Sequence, residues 1–289
     1  MKLTRGDYEL LGYSVAGEET VVAIPTLDVC FDVGKAPDQL LAVNNMLISH
    51  CHMDHVAGIA YYCSQRDFRK MAPGRVFLHE SRAHLVDELL DFWGRFDGTH
   101  PPVDLVSMRG GREFELRRNL FAYAFETNHT RHSLGYTIVD RRQKLKPEYL
   151  KLSSPEIVAL KKKGEEITTT VNVPLVTYLG DTAEGEFQSL PCVRQSKILI
   201  TECTFFEKEH LDRARAGRHF HIDRMAPWLN ELENEHIVLT HLSQRTHIGE
   251  AKRILREKLK PEMAEKVTIL MDRPRFQGRK QENRIEKAE

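Results

Sequence analysis

The sequence predicts an α/β fold in which two β-sheets pack face to face and helices cover their outer surfaces. Three features of the 289-residue chain support this prediction: short apolar runs recur along it, longer amphipathic stretches separate them, and groups of strands alternate with helices. Short apolar runs are typical of buried strands, and longer stretches with a 3.6-residue period are typical of helices. Two sheets packed between helices bury each apolar face once.

The individual elements follow from these patterns in chain order. Nine apolar runs predict strands at residues 21–24, 29–33, 46–49, 75–79, 120–125, 135–139, 176–179, 198–201 and 237–240. Four amphipathic stretches predict helices at residues 55–69, 81–93, 223–233 and 249–259. Residues 140–172 are rich in charge, so we expect an insertion there, with a short helix at 154–163 between flanking loops.

The composition is that of an ordinary globular protein. Apolar residues make up 41% of the chain and charged residues 29%, and both fractions are typical of a folded domain. A chain of this length can bury one large core, so we expect a single domain at residues 1–273 and a charged tail at 274–289. Lysine plus arginine equals aspartate plus glutamate at 42 each, so a nucleic-acid-binding protein would have to concentrate its basic residues locally.

The same features indicate a cytoplasmic location. No apolar run approaches the roughly 20 residues that span a bilayer, and the opening residues lack the features of a signal peptide. The five cysteines are an odd number and include no Cys-x-x-Cys pair. Neither a disulfide framework nor a zinc ribbon is therefore indicated, and we expect free thiols.

The strongest chemical signal is the run His50-Cys51-His52-Met53-Asp54-His55, which carries four potential metal ligands. An apolar run precedes it and an amphipathic pattern follows, so the ligands are expected in a loop between a strand and a helix. Imidazole and carboxylate groups suit zinc and similar first-row metals. Cys51 alternates with the ligands, and we expect its side chain to point away from the metals.

Three further candidate ligands each follow an apolar, strand-like run: His129, Asp181 and His241. Together with the first cluster they form two ligand sets: His50, His52 and His129 for one ion, and Asp54, His55 and His241 for a second, with Asp181 bridging both. His132 is the alternative to His129. The sequence thus predicts a dinuclear metal centre.

These residues resemble the metallo-β-lactamase superfamily and, within it, the short-form tRNase Z (ribonuclease Z) enzymes of the compact plant-like type. The resemblance covers most of the chain. It rests on these further segments: Phe31-Asp32-Val33-Gly34, Gly135-Tyr136, Gly180-Asp181-Thr182, Thr201-Glu202-Cys203-Thr204-Phe205, Gly217-Arg218-His219-Phe220-His221 and Leu239-Thr240-His241-Leu242-Ser243-Gln244-Arg245. The metal motifs are those of the superfamily, whereas the Glu-x-Thr-Phe, His-x-His and His-x-Ser-x-Arg segments together indicate the RNase Z branch.

The resemblance implies an αββα four-layer sandwich, the metallo-β-lactamase fold. It also implies a zinc-dependent endoribonuclease that cuts precursor tRNA on the 3′ side of the discriminator base and leaves a 5′-phosphate on the trailer. Two Zn²⁺ ions per subunit are expected, with Mn²⁺ or Fe as alternatives. A homodimer, in which one subunit presents the tRNA to the other, is expected on the same ground.

The resemblance also implies the roles of individual residues. Asp54 is expected to orient or deprotonate the attacking water, and His219 to protonate the leaving 3′-oxygen while Glu202 holds its ring. Arg218 and Arg245 are the candidate phosphate contacts. His221 is the alternative to His219, and the spacing to Gly135-Tyr136 favours His129 over His132.

Alternative functions remain open at this point. Many RNase Z enzymes carry a long Gly/Pro-rich arm where this chain has only residues 140–172, so a same-fold hydrolase of small phosphodiesters or cyclic nucleotides is the main alternative. A catalytically silent RNA-binding protein is another, although it would not require seven metal ligands. A di-iron oxidoreductase of this fold usually replaces the second histidine of the loop with glutamate, and His52 therefore favours zinc.

The remaining charged and histidine residues receive ordinary interpretations. Basic clusters at residues 141–146, 161–163, 213–218 and 252–260 are candidate tRNA contacts, but each is also typical of a solvated surface. Six histidines without a second ligand nearby are expected to be surface or hydrogen-bonded side chains: His79, His84, His100, His210, His236 and His247.

Overall fold

Fourteen strands of the described chain form two seven-stranded sheets. The computed structural model describes residues 2–270, so the charged tail predicted at 274–289 lies outside the described residues. The first sheet contains, in hydrogen-bonded order, β1 (Lys2–Arg5), β2 (Tyr8–Val15), β3 (Glu19–Ile24), β4 (Val29–Phe31), β5 (Asn45–Leu47), β6 (Arg75–His79) and β7 (Asp104–Met108). The second contains β8 (Glu113–Arg117), β9 (Leu120–Glu126), β10 (Leu134–Leu145), β11 (Thr168–Tyr178), β12 (Ile198–Glu202), β13 (His236–Thr240) and β14 (Val267–Ile269).

Each sheet is antiparallel in one half and parallel in the other. Strands β1 to β4 pair antiparallel and β4 to β7 parallel. Strands β8 to β11 likewise pair antiparallel and β11 to β14 parallel. Parallel strands end at the same edge of a sheet, so loops that follow them are brought together there.

The helices lie outside the two sheets. They are α1 (Met53–Val56), α2 (Ile59–Phe68), α3 (Ala83–Asp97), α4 (Ser154–Lys162), α5 (Pro191–Gln195), α6 (Leu211–Gly217), α7 (Ile222–Leu229), α8 (Ile248–Lys258) and α9 (Pro261–Lys266). Helices α2 and α3 share a buried apolar cluster with the outer face of the first sheet. Helices α7, α8 and α9 share another with the outer face of the second sheet.

The central core lies between the sheets and draws on both of them. Alternating residues of β12 divide between the layers: Ile198 and Ile200 face this core, whereas Leu199 packs towards the helices. Successive side chains of a strand point to opposite faces, and strands buried on both faces are therefore apolar throughout. The predicted αββα sandwich is thus confirmed.

One predicted helix is broken in two. Residues 55–69 were expected to form one helix, but α1 ends at Val56 and α2 begins at Ile59. A Cβ atom at Gly58 would lie 2.4 Å from the backbone nitrogen of Ala36, so the chain approaches a neighbouring loop too closely for any residue but glycine. The break therefore seats the metal-ligand loop against residues 35–36.

The prediction of loops on both sides of the inserted helix is wrong. Strands β10 and β11 continue as an antiparallel hairpin in which Asp140 pairs with Val173 and Leu145 pairs with Thr168. Helix α4 connects the two strands, close to its predicted position. Residues 140–172 are therefore a long hairpin with a helix at its tip.

The remaining predicted strands and helices are present with shifted ends, but five strands were not predicted. These are β1, β2, β7, β8 and β14. Strands β1 and β8 are half-exposed, with polar residues at alternate positions, and lack the continuous apolar run that the analysis relied on. Within residues 2–270, no helix combines the length and apolar character needed to cross a membrane.

Candidate metal centre

The predicted ligands meet at one edge of the sandwich because the strands that precede them end there. Strand β5 leads into the loop that begins at His50, and β9, β11 and β13 lead to His129, Asp181 and His241. Strands β9 and β11 both pair antiparallel with β10, and β11, β12 and β13 pair parallel, so these four run in the same direction. Ligands far apart in sequence thus share one site.

The first ligand group consists of His50, His52 and His129. Nδ1 of His52 lies 3.0 Å from Nε2 of His50 and 3.1 Å from Nε2 of His129. Nδ1 of His129 donates a hydrogen bond to the Arg218 carbonyl at 3.1 Å, which leaves the Nε2 lone pair facing the group. Burial lowers the pKa of both His50 and His129, so each favours the neutral form that binds metal.

The second ligand group consists of Asp54, His55 and His241. Oδ2 of Asp54 lies 3.7 Å from Nε2 of His55 and 3.5 Å from Nε2 of His241. A backbone N–H, that of Gly17, donates to the same oxygen at 3.0 Å and orients it. Burial raises the pKa of Asp54, but the nearby His241 and His55 outweigh it and lower that pKa to about 2.

Asp181 lies between the two groups. Its Oδ2 is 3.8 Å from Nε2 of His50 and 4.0 Å from Nε2 of His129 in the first group. The same oxygen is 3.3 Å from Nε2 of His55 and 3.1 Å from Nε2 of His241 in the second. A single buried carboxylate oxygen therefore faces four imidazole nitrogens, as a bridging ligand requires.

The spacing of the donor atoms suits bound metal ions better than direct hydrogen bonds between the side chains. A tetrahedral zinc ion with bonds of about 2.0–2.1 Å places its nitrogen ligands about 3.3–3.4 Å apart, close to the spacings of the first group. In the described chain, Nε2 of His55 and Nε2 of His241 are buried without a hydrogen-bond partner. Burial lowers the pKa of His55, but the Asp181 and Asp32 carboxylates outweigh it and raise the pKa well above its ordinary value. The second group therefore requires a positive charge.

Asp32 orients the second group and was not predicted to have a role. It is fully buried, and its Oδ2 accepts hydrogen bonds from Nδ1 of His55 at 2.7 Å, from the Tyr178 hydroxyl at 2.6 Å and from the Ser49 hydroxyl at 2.8 Å. A carboxylate on the outer nitrogen fixes the tautomer of a metal-binding imidazole and increases its basicity. The sequence did offer a signal for this role, since Asp32 directly follows the buried run 29–31. An aspartate at such a position is expected to be buried, and a buried charge requires partners.

Glu202 organises the opposite side of the centre. Its fully buried carboxylate accepts a hydrogen bond from Nδ1 of His219 at 2.7 Å and one from the Thr204 hydroxyl. Oγ1 of Thr204 also lies 3.0 Å from Nδ1 of His241. Burial lowers the pKa of His219, but Glu202 outweighs it and raises that pKa to about 9. One carboxylate thus supports both His219 and the metal-ligand candidate His241.

His219 lies beside the ligands, whereas the alternative His221 does not. The His219 ring centroid is 4.7 Å from that of His129 and 5.1 Å from that of His241. Nε2 of His221 donates to the Glu207 carbonyl at 2.9 Å, and its Nδ1 accepts from the Asp223 backbone N–H at the start of α7. Both ring nitrogens of His221 are therefore occupied by hydrogen bonds to the backbone.

His132 and Cys51 lie on the far side of the metal loop. Both line a separate cavity next to the site, and neither belongs to the groups of ligand atoms that converge. The alternation of residues 50–55 had predicted that the Cys51 side chain would lie on this side of the loop, away from the metals. His129, and not His132, is brought to the ligand group.

The two predicted phosphate contacts are placed differently. Arg245 is exposed and lines the cleft of about 680 Å³ that opens onto Asp54, Asp181 and His241. Arg218 lies outside that lining, and its guanidinium donates to the His129 carbonyl at 3.3 Å. Sequence reasoning did not find this second role of Arg218, in which both its carbonyl and its side chain hold the His129 segment.

Four residues at the site have left-handed backbone conformations. The φ angles are +55° at Asp32, +53° at Arg218, +57° at His241 and +64° at Gly180. Non-glycine residues rarely adopt this region, and such strain is concentrated at functional sites. Gly180 has a second constraint, because a Cβ atom there would lie 2.6 Å from Cβ of Ser49.

Comparisons of the sequence with known proteins identify the family. The chain is 33% identical to tRNase Z TRZ1 of Arabidopsis thaliana, over 84% of this chain and 88% of that protein. It is 40% identical to a nuclear ribonuclease Z of Triticum aestivum, over 57% of this chain and 93% of that protein. No family model matches the chain.

Solved structures give the fold. The metallo-β-lactamase fold protein YhfI from Bacillus subtilis has a TM-score of 0.63 at 13% identity, covering 89% of this chain and 93% of that one. The short form of human tRNase Z has a TM-score of 0.58 at 16% identity, covering 82% and 92%. Both show the metallo-β-lactamase fold. Because a relative more than 30% identical spans most of both sequences, this chain belongs to the tRNase Z (ribonuclease Z) family.

Proposed function

We propose that this chain is a metal-dependent endoribonuclease that hydrolyses one phosphodiester of precursor tRNA and so removes the 3′ trailer. The observation that carries the proposal is the Asp181 oxygen, which lies within 4.0 Å of four imidazole nitrogens from both ligand groups. Membership of the tRNase Z family supports the reaction class and the substrate. The proposed cut leaves a 3′-hydroxyl on the tRNA and a 5′-phosphate on the trailer.

We propose zinc as the metal, with two ions per subunit and with Mn²⁺ or Fe as possible substitutes. His50, His52 and His129 would hold one ion, Asp54, His55 and His241 the other, and Asp181 both. When bound, a pair of such ions activates water near neutral pH and stabilises charge on the phosphoryl oxygens. The predominance of imidazole donors supports zinc over magnesium or calcium, which prefer oxygen ligands.

The protein's own residues supply the proton transfers. Asp54 is proposed to orient or deprotonate the attacking water, because its Oδ2 is fixed by the Gly17 N–H and directed towards the second ligand group. His219 is proposed to give a proton to the leaving 3′-oxygen. Glu202 positions His219 through the 2.7 Å hydrogen bond to Nδ1, which directs Nε2 towards the cleft.

Two kinds of cationic contact are proposed for the RNA. Arg245 is exposed at the cleft and is the nearer phosphate contact, and Arg218 lines a neighbouring cleft that shares His219. Many other basic residues are paired with acids, as Arg141 is with Glu113 and Arg253 with Glu250. In contrast, the lysines at 161–163 on the hairpin tip make no ion pair with any residue between 2 and 270, so they are the proposed contact with the tRNA body.

The test is cleavage of a labelled precursor tRNA by zinc-loaded protein. A single cut after the discriminator base is expected from the wild type and not from Asp54→Ala, whereas Asp38→Ala, an exposed carboxylate outside the site, should cut normally. A small phosphodiester is assayed in parallel. Metal-dependent hydrolysis of the small diester without cleavage of tRNA would retain the dinuclear site and reject the proposed substrate.

A homodimer is proposed with α3 as its contact surface. This helix buries Val86 and Leu90 but exposes five large apolar side chains by 39% to 71%: Leu85, Leu89, Phe92, Trp93 and Phe96. Contiguous clusters of exposed large apolar side chains are typical of interaction sites. Acidic residues accompany the patch at 87, 88 and 91, so RNA is disfavoured as its occupant, and a second copy of the chain provides a matching apolar face about a two-fold axis.

The dimer is tested by light scattering. Phe92→Asp combined with Phe96→Asp should convert the protein to a monomer, because two carboxylates cannot be buried in an apolar contact. Leu150→Asp, at an exposed apolar residue of the insertion, is the matched control and should stay dimeric. A wild-type protein that is monomeric at micromolar concentration would contradict this assembly.

The domain boundaries and the compartment are proposals of the same kind. A core shared by both sheets supports a single hydrolase domain at residues 1–273. Five free cysteines support a reducing compartment, and we propose the cytoplasm, although one relative is named as chloroplastic and another as nuclear. Imaging of a tagged full-length chain would distinguish these locations.

A further inference from the structure

A second cavity adjoins the metal centre on the far side of the loop at 50–55. Its volume is about 390 Å³, and its wall includes Cys51, His52, His79, Arg82 and His132. His52 also lines the metal cleft, so a group bound in this cavity lies next to the first ligand group. The volume is within the range of roughly 300–1,000 Å³ that is typical of small-ligand sites.

Two imidazole rings in tilted contact form part of the wall of this cavity. The ring centroids of His79 and His132 are 4.4 Å apart, with 35° between the ring planes. Nδ1 of His79 accepts a hydrogen bond from the Ser81 backbone N–H at 3.2 Å, which requires an unprotonated nitrogen there. His79 is therefore a neutral aromatic ring, and such rings are surfaces on which RNA bases stack.

Arg82 adds a positive charge that no acidic side chain of the described residues neutralises. It is half-buried on the cavity wall, and its guanidinium makes no hydrogen bond or ion pair with any residue from 2 to 270. Arginine is well suited to phosphate because its planar group offers paired N–H donors. An aromatic wall beside an unpaired guanidinium matches the two halves of a nucleotide.

We propose that the cavity between His79, His132 and Arg82 binds the first nucleotide of the RNA trailer. Its base stacks on His132, which is braced by His79, and the phosphate on the 3′ side of that nucleotide binds Arg82. The inference rests on the proposed function. The trailer side is assigned because His219, the proposed donor to the departing tRNA 3′-oxygen, lines the metal cleft and a neighbouring cleft but not this cavity.

The experiment measures kcat and KM for two precursor tRNAs that differ only in the first trailer nucleotide, which is intact in one and abasic in the other. The variants are Arg82→Ala, His132→Ala and His132→Phe. Arg118→Ala is the matched control, because Arg118 is exposed in the turn before β9, at the opposite end of that strand from His129. Zinc content and melting temperature identify any variant that has lost its fold.

With the intact precursor, we expect Arg82→Ala to raise KM about tenfold and to lower the slope of log KM against log salt by about 0.7, the value for one lost phosphate contact on a single strand. His132→Ala should raise KM by about tenfold, and His132→Phe should restore most of the loss because it keeps a stacking face. With the abasic precursor, His132→Ala should have no further effect. A merely structural role for either residue would not give this pattern.

The outcomes separate this inference from the proposed function. If the wild type cuts the precursor but Arg82→Ala behaves like Arg118→Ala, the cavity does not bind the trailer. An equal effect of His132→Ala on the intact and abasic precursors would also overturn the inference. A wild type that cuts no precursor tRNA would overturn the proposed function, and this inference with it.

Discussion

The two ligand groups are built from similar side chains but are supported in different ways. In the first, neither His50 nor His129 bonds a carboxylate directly through its outer nitrogen: Nδ1 of His50 is linked to Asp32 through the Ser49 hydroxyl, which lies 3.0 Å away, and Nδ1 of His129 donates to a main-chain carbonyl. In the second, His55 is bonded directly to the buried Asp32, and His241 is linked to the buried Glu202 through Thr204. The first group also includes the exposed His52.

This difference indicates that the two groups would hold metal with different strengths. Hydrogen bonds to a charged group are roughly twice as strong as those between neutral groups, and a carboxylate on the outer nitrogen makes an imidazole a better ligand. We therefore expect the second group to bind its ion more tightly and the first to exchange its ion more readily.

The largest effect is expected from the residue that both groups share. Asp181→Ala removes the oxygen that faces four imidazoles, so both groups lose a ligand. We expect kcat on precursor tRNA to fall by about 10³-fold, equivalent to about 4 kcal/mol of lost stabilisation. Glu184→Ala, at a half-buried carboxylate three residues later that pairs with Arg224, should retain activity. Zinc content that stays at the wild-type level in Asp181→Ala would contradict a bridging role.

The next effect should be confined to the second group. In Asp32→Asn, the Ser49 N–H keeps the amide oxygen at the Oδ1 position, so the amide N–H₂ faces Nδ1 of His55. His55 must then carry its proton on Nε2, which prevents that atom from binding metal. We expect roughly a 10–100-fold loss of metal affinity, measured by competition with a chelating indicator, for one of the two ions. An equal loss at both sites would contradict the distinction, and Asp38→Asn is the control.

Removal of metal by a chelator should sharpen the comparison. We expect two separate steps, with midpoints that differ by about tenfold in chelator activity, equivalent to about 1.4 kcal/mol between a neutral and a charged support. One zinc per chain should remain after the first step. Mass spectrometry under non-denaturing conditions would measure the stoichiometry, and loss of both ions in a single step would contradict unequal groups.

The smallest effect on metal affinity is expected at Arg218, because His129 donates to the main-chain carbonyl of this residue. Arg218→Gly keeps the carbonyl that accepts from His129 and suits the φ angle of +53° at this position. The metal affinity of the first group should therefore change by less than about threefold, whereas the loss of one cation from the RNA-binding surface should raise KM for precursor tRNA. A large loss of zinc would instead show that the guanidinium contact with the His129 carbonyl is essential.

Sequence reasoning predicted the layered fold because that fold depends on apolar periodicity. It brought together the ligand candidates because each follows an apolar strand, as His241 follows β13. It did not find the role of Asp32, whose partners His55 and Tyr178 are 23 and 146 residues away. Long-range hydrogen bonds leave no local pattern. The strands of the inserted hairpin were also missed, although Thr168, Thr169 and Thr170 offered a signal, because β-branched residues favour strands.

Because of the order of the strands, the candidate metal ligands come from two separate halves of the chain. Every strand of the first sheet precedes every strand of the second, since β7 ends at Met108 and β8 begins at Glu113. The chain is thus divided into two contiguous halves. Residues 50–55 belong to the amino-terminal half, and His129, Asp181 and His241 belong to the other. Ions shared by these ligands would act as a reversible cross-link in addition to the apolar core that both halves share, so bound metal would strengthen the association of the two fragments of a chain cleaved between residues 108 and 113.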